Sequence, residues 1–215
     1  GWDDPTISHS GPASFAWDSI LAGEPQSETN GKPIYAAARG PVVETRNDRD
    51  SCSGYPASYV MVEHAPVEIG AYLHFVKGSV AVADTQVVSA GDFLASAGDT
   101  GNAPCGAYHL HYALHTHPES QAAVLVTFPG AFNNYEVSTD LGGSWQKVVR
   151  GVPKGGEWVR ALANNSPVCD ANGPYVAECG GPTTGVSLDG TGSSDPDGDP
   201  LLFTWTGSFA GGTAN

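Results

Sequence analysis

Apolar and polar residues alternate in many short stretches of this chain, and turn-forming residues separate the stretches. A two-residue period is typical of a β-strand with one buried face, and no stretch follows the 3.6-residue period of an amphipathic helix. The pattern predicts strands at residues 33–38, 42–45, 58–64, 71–76, 79–83, 93–97, 108–115, 122–128, 134–138, 145–149 and 157–161. Strands this closely spaced predict an all-β fold with an antiparallel β-sandwich or barrel-like core.

The composition agrees with strands and turns. The 215 residues include 28 glycines and 16 prolines, and only 15% are charged, whereas exposed helix faces are rich in charged residues. Hydrophobic residues make up 40% of the chain, which is enough to bury a core.

The formal net charge of −14 disfavours two classes of partner. Nucleic acids need clustered Lys and Arg to neutralise their phosphates, and anionic membrane surfaces attract the same residues. No apolar run approaches the ~20 residues of a transmembrane helix, so we expect no membrane insertion. The sequence leaves the oligomeric state open.

The charge pattern changes after Arg160. Residues 161–215 contain six acidic residues and no Lys or Arg. Residues 161–166 have the composition of a linker, which predicts one domain at residues 1–160 and a smaller unit at 167–215. The chain begins with Gly rather than Met, and we expect it to be a processed piece of a longer protein.

The four cysteines are Cys52, Cys105, Cys169 and Cys179. None lies in a Cys-x-x-Cys spacing, which disfavours a thiolate zinc site. An even number of cysteines in an acidic chain favours disulfides and an oxidising, extracytoplasmic location. The alternative is four free, buried thiols.

Histidines offer the clearest candidate chemistry. In residues 108–115, one strand face carries Tyr108, Leu110, Tyr112 and Leu114, and the other carries His109, His111, Ala113 and His115. A catalytic zinc needs three protein ligands and a nearby group that transfers protons. His9 and Asp18 lie upstream and offer further ligands. The alternative is a polar face on a solvated strand.

Several motifs occur in a defined order: His9 and Asp18, residues 31–43, Tyr72-Leu73-His74-Phe75, Gly98-Asp99-Thr100-Gly101-Asn102 and His109-Leu110-His111-Tyr112. This ordered set resembles the lysostaphin-type zinc endopeptidases of bacterial cell-wall turnover, over roughly residues 7–160. The resemblance implies that His9, Asp18 and His111 bind zinc. It further implies that His109 is the general base and that His74 stabilises the oxyanion formed at the attacked amide.

The other histidines have weaker assignments. The family has no ligand at the position of His64, so we expect a structural role there. His115 and His117 continue the face that carries His111 and are candidates for substrate contact. Residues 22–30 depart from the family pattern as a polar insertion.

In the fold that the resemblance implies, the loops of Cys52 and Cys105 can approach each other. A disulfide there would hold one wall of the cleft. Cys169 and Cys179 form the other expected pair, and different pairings remain open.

Four motifs follow one another in residues 167–207: Gly173-Pro174-Tyr175, residues 186–190, residues 194–199 and Phe203-Thr204-Trp205. They resemble the first half of a PKD-type immunoglobulin-like module, which implies a partial β-sandwich. Asp195, Asp197 and Asp199 provide oxygen ligands suited to weak Ca²⁺ binding. The alternative is a turn with solvated carboxylates.

These observations favour a secreted bacterial zinc metalloendopeptidase that hydrolyses peptide cross-links, with peptidoglycan peptides or another protein as the substrate. All five positions of the implied site hold the required residue types, which favours an enzyme. The alternatives are an inactive binding or regulatory module with the same fold, and a structural adhesin fragment that rests on residues 165–215 alone.

Overall fold

The computed structural model describes residues 9, 13–118, 126–162, 167–177, 185–196, 201, 203 and 205. The chain divides into two compact units, Gly1–Arg160 and Ala161–Asn215, and each is considered by itself. The helical structure of the described residues includes a short 3₁₀ helix at Gln26–Thr29. Within these described ranges, no helix has the length and apolar character needed to cross a membrane.

The predicted all-β fold is confirmed. The described residues form strands β1 (Ala16–Ser19), β2 (Pro33–Tyr35), β3 (Gly40–Arg46), β4 (Tyr59–Ala65), β5 (Glu68–Leu73), β6 (Val87–Val88), β7 (Phe93–Ser96), β8 (Leu110–His115), β9 (Phe132–Ser138), β10 (Gln146–Gly151) and β11 (Trp158–Ala161).

The main sheet has six strands in the order β1-β8-β5-β4-β3-β6, and its pairs are antiparallel. Side chains alternate between its two faces. One face carries the larger apolar core, in which Tyr72 and Tyr112 pack with ring centroids 4.8 Å apart against Val60, Val62 and Leu114. Burial of these side chains holds the alternate residues of β5 and β8 on the opposite face.

Small residues mark the middle of that opposite face. Ala113 of β8 is in register with Ala16 of β1 and Ala71 of β5, and all three are fully buried. His111 and His115 lie on either side of this row along β8. The face therefore has a row of alanines across three strands, with imidazoles above and below it.

A second, three-stranded sheet supports β1. Its order is β10-β9-β11. Phe132 of β9 packs against Trp17 and Tyr112, at centroid distances of 5.0 and 5.6 Å. The Trp17 indole donates a hydrogen bond to the carbonyl of Pro153 at 3.3 Å. These contacts fix the residue that directly precedes Asp18.

The strand predictions were accurate for some segments and wrong for others. The predicted pair at residues 58–64 and 71–76 corresponds to β4 and β5, which are antiparallel neighbours. Residues 79–83 form no strand; instead, the Val80 and Ala81 amides donate to the Asn47 side chain and to the Leu94 carbonyl. In the predicted strand at 122–128, residues 122–125 lie outside the described residues, and Thr127 forms an isolated bridge with His115.

The second unit has little regular structure in its described part. Between residues 167 and 205, the described residues form one isolated bridge, Val168 with Ser194, and no strand. The immunoglobulin-like module therefore stays a prediction. Cys169 is a free, exposed thiol, so the expected pairing with Cys179 is wrong in this structure. Cys179, Asp197 and Asp199 lie outside the described residues, and the calcium site at Asp195 gains no support.

Candidate metal centre

The pairing of β1 with β8 brings together two of the expected ligands. Asp18 and His111 are register partners, and register partners in an antiparallel pair project from the same face. The Asp18 Oδ1 atom lies 3.2 Å from His111 Nδ1. The two residues are far apart in sequence, and the register alone makes their side chains neighbours.

His9 completes a compact set of three donor atoms. Its imidazole is buried, and its Nε2 atom lies 3.2 Å from Asp18 Oδ1 and 3.2 Å from His111 Nδ1. Ligands about 2.0–2.1 Å from a tetrahedral zinc ion lie about 3.3 Å from one another. The spacing of the three atoms and their mixed imidazole–carboxylate chemistry therefore fit zinc.

The protonation states also suit metal binding. Burial raises the pKa of the Asp18 carboxyl, but hydrogen bonds with His111 and His9 and the charges of His111 and His109 outweigh it and hold that pKa well below its usual range. Burial lowers the pKa of His111, although Asp18 opposes the shift. An ionised carboxylate and a neutral imidazole are the forms that bind metals.

His109 lies beside the three donor atoms rather than among them. Its Nδ1 atom lies 2.6 Å from the Ala107 carbonyl oxygen, which can only accept, so Nδ1 carries the proton. The Nε2 atom of the neutral ring therefore has a free lone pair, and it lies 3.5 Å from Asp18 Oδ1. This arrangement places a proton acceptor at the edge of the cluster.

His74 faces the same cluster from the end of β5. Its ring centroid lies 4.6 Å from that of His109 and 5.6 Å from that of His111. The Nδ1 atom donates to the Thr100 carbonyl at 2.6 Å. Burial lowers the pKa of His74 to about 4, against the opposing effect of this hydrogen bond, so the ring is neutral near pH 7. Its backbone has a φ of +71°, a strained conformation that is concentrated at functional sites.

The other histidines lie outside the cluster. His64 packs near Tyr72, and its ring nitrogens contact the Tyr72 hydroxyl and the Arg39 carbonyl. His115 is buried on the same face as His111, and its Nδ1 atom has no hydrogen-bond partner in the structure as described. His117 is exposed, with Thr116 as its hydrogen-bond partner.

Two backbone groups at this site were missed by the sequence analysis. The Thr100 and Ala107 carbonyls set the orientation of His74 and His109, and a side-chain pattern carries no signal for a carbonyl group. Both residues lie in the segment between β7 and β8. The expected disulfide is formed and links Cys105 of this segment to Cys52, with a Cα–Cα distance of 5.1 Å.

Comparisons with known proteins find one family match within this unit. Residues 23–123 match the model of Peptidase family M23. The match includes His74, His109 and His111 and begins after His9 and Asp18, which the fold brings to the same cluster. No curated protein matches the chain.

Three solved structures show the range of similarity. A zinc-containing peptidase from Vibrio cholerae is 31% identical over 39% of this chain and 23% of its own, with a TM-score of 0.32, so this chain spans about a quarter of that protein. The catalytic domain of lysostaphin from Staphylococcus simulans is 18% identical over 59% of this chain and 84% of its own, with a TM-score of 0.42. The catalytic domain of a prophage-encoded M23 protein from Enterococcus faecalis is 17% identical over 59% and 82%, with a TM-score of 0.40. Residues 23–123 of this chain are therefore similar to Peptidase family M23.

Proposed function

We propose that this chain is a zinc-dependent endopeptidase that hydrolyses peptide cross-links in bacterial peptidoglycan. The observation that carries the proposal is the set of His9 Nε2, Asp18 Oδ1 and His111 Nδ1, each 3.2 Å from the other two. Two further imidazoles, those of His74 and His109, lie beside the same set. Three ligands plus adjacent proton-transfer groups are the requirements of a hydrolytic zinc site.

The family supports the same reaction. M23 peptidases are hydrolases that act on peptide bonds and depend on zinc, and peptidoglycan peptides are the expected substrates. An extracytoplasmic location is consistent with the Cys52–Cys105 disulfide, because disulfides persist in oxidising compartments. Secretion, cross-link cleavage and the five residue roles are parts of this proposal.

The side chains have distinct roles in it. Zinc, when bound, supplies Lewis acidity, which polarises a peptide carbonyl and acidifies water near neutral pH. His109 accepts a proton at Nε2, because Ala107 holds the proton of the neutral ring at Nδ1. His74 is held in the same tautomer by Thr100, so it can donate to an oxyanion only after it takes up a proton at Nε2. Negative charge that develops at the scissile carbonyl favours this protonation.

The test is hydrolysis by zinc-loaded protein. Purified peptidoglycan and soluble cross-linked peptides would be incubated with the protein, and new amino termini would be labelled and identified by mass spectrometry. We expect new termini within the cross-links, their loss with a chelator and their return with added zinc. If zinc-saturated protein sediments with peptidoglycan and releases no new termini, it is a binding module and not a peptidase.

A further inference from the structure

The segment between β7 and β8 carries both carbonyls that orient the candidate catalytic imidazoles. Thr100 accepts from His74 Nδ1 and Ala107 accepts from His109 Nδ1, each at 2.6 Å. Each neutral ring is thereby held as the Nδ1–H tautomer, with Nε2 left to act on substrate. The position of these two carbonyls therefore decides which nitrogen atom can accept a proton.

The two carbonyls are anchored in different ways. Thr100 is buried, and its hydroxyl accepts from the Ser58 amide at 3.0 Å and donates to the Phe75 carbonyl at 2.8 Å. Gly101, the next residue, exchanges backbone hydrogen bonds with Ser51 and Gly54. The two contacts of the Thr100 hydroxyl hold Thr100, and therefore His74, without help from a covalent link.

Ala107 has fewer anchors. Its amide donates to the Pro104 carbonyl at 3.0 Å, within the same turn. The Cys52–Cys105 disulfide and Asp99, whose Oδ2 atom accepts from the Gly106 amide at 2.8 Å, fix the turn within two residues of Ala107 on its amino-terminal side. Backbone hydrogen bonds hold the flanking positions: the Ala103 carbonyl accepts from the Ser53 amide at 2.8 Å, and the His109 amide donates to the Gly98 carbonyl at 3.2 Å.

We propose that the Cys52–Cys105 disulfide and Asp99 position His109 by fixing the Ala107 carbonyl. They have no comparable effect on His74, because Thr100 has its own buried hydrogen bonds. Cys52, Cys105 and Asp99 are positioning residues, since they act through Ala107 and do not reach the reacting atoms. The consequence for catalysis rests on the proposed peptidase function; the consequence for the His109 tautomer does not.

The first test is nitrogen NMR of protein with ¹⁵N-labelled histidine, recorded without metal at neutral pH. In the wild-type protein we expect His74 and His109 each as a single Nδ1–H tautomer. In the double variant C52S/C105S we expect His109 to populate both tautomers while His74 is unchanged. The matched control is Cys169→Ser, which removes a free, exposed thiol in the other unit.

The second test uses zinc-loaded protein and a cross-linked peptide. We expect kcat of C52S/C105S to fall at least roughly tenfold, within the ~10²–10⁴-fold that loss of a general base costs, with KM and zinc content unchanged. Asp99→Ala leaves the disulfide in place. We expect it to mix the His109 tautomers and to lower kcat, each by less than the double variant does. This variant decides the question if the double variant does not fold.

Two results would overturn the proposal. The first is a single, unchanged His109 tautomer in both variants. The second is an equal change of tautomer at His74 and His109, which would indicate that the whole segment between β7 and β8 has become less ordered. If the wild-type protein hydrolyses no peptide, the proposed function fails, while the NMR result still decides the positioning role.

Discussion

The Oδ1 atom of Asp18 lies 3.2 Å from the Nδ1 atom of His111, a residue 93 positions later that is its register partner in the sheet. Both proposed ligands are therefore fixed by backbone pairing, and no loop has to close to bring them together. His9 joins them from outside the strands. A site assembled in this way binds metal with little ordering of its ligands, which favours affinity.

Replacement of His111 by Ala should abolish stoichiometric zinc binding, because two ligands rarely hold zinc without a third. The matched control is His117→Ala, since His117 is an exposed imidazole outside the cluster. Zinc content after dialysis would be measured by mass spectrometry. Full zinc occupancy in His111→Ala would remove this residue from the ligand set.

Replacement of His109 by Ala should leave zinc bound and reduce kcat by ~10²–10⁴-fold, the usual contribution of a general base. Zinc stoichiometry and peptide hydrolysis would be measured on the same preparation. Loss of zinc equal to that of His111→Ala would make His109 a ligand, and an unchanged kcat would remove it from the mechanism.

Gly101→Ala should destabilise the first unit more than Gly78→Ala does. The two glycines have φ values of +88° and +80°, so both substitutions carry a similar backbone cost of about 1–2 kcal/mol. A Cβ at Gly101 would lie 2.6 Å from the Ala57 Cα, whereas a Cβ at Gly78 meets nothing within 4 Å. Urea unfolding would measure the free energy of unfolding of the two variants. An equal decrease in both would show that the segment at Gly101 can move away from Ala57.

The free energy of unfolding should fall as the pH drops from about 6.5 to about 4. Burial lowers the pKa of His115 to about 4, whereas the unfolded chain protonates this residue near pH 6.5. Between these values the unfolded state binds more protons, so stability rises with pH. In His115→Leu, the difference in bound protons between the unfolded and folded states falls by up to one. We therefore expect the slope of the free energy of unfolding against pH to decrease by up to about 1.4 kcal/mol per pH unit.

Urea unfolding at several pH values, with a chelator present to exclude metal binding, would measure the slopes. His117→Leu is the control, because it removes an exposed imidazole that lies close to His115 in the sequence. If wild-type and His115→Leu protein have the same slope, His115 has the same pKa in the folded and unfolded states, which would contradict the prediction.

A chain that ends after residue 162 should keep the melting temperature and the peptide hydrolysis of the full chain. All five proposed site residues lie in the first unit, which has its own apolar core. Thermal unfolding and cross-link cleavage by the two chains would be compared. A large drop in either quantity would show that residues 163–215 belong to the catalytic domain.

The strands with clear alternation were predictable from the sequence. The pattern at residues 108–115 placed His111 and Tyr112 on opposite faces of β8, as the structure does. Strand β1 was missed because four residues are too few to show a period. Its register with β8, which decides the position of Asp18, depends on Trp17 and on packing that sequence periodicity does not record.

The grouping of the candidate site came from ordered motifs rather than from periodicity. His9, Asp18 and His111 were named from a family resemblance, and the structure brings their donor atoms together. The orientation of His74 and His109 was not predictable, because it depends on two carbonyl groups. The free thiol at Cys169 also shows that an even number of cysteines does not fix their pairing.

The short strand β1 also limits how this chain can change in length. One residue added or removed between Ala16 and Asp18 would shift the pairing by one position and turn the carboxylate to the apolar core. Changes in the loop that follows Ser19 need not alter this pairing. Length variation is therefore tolerable in the loop that follows Ser19, whereas immediately before Asp18 it is incompatible with the proposed metal centre.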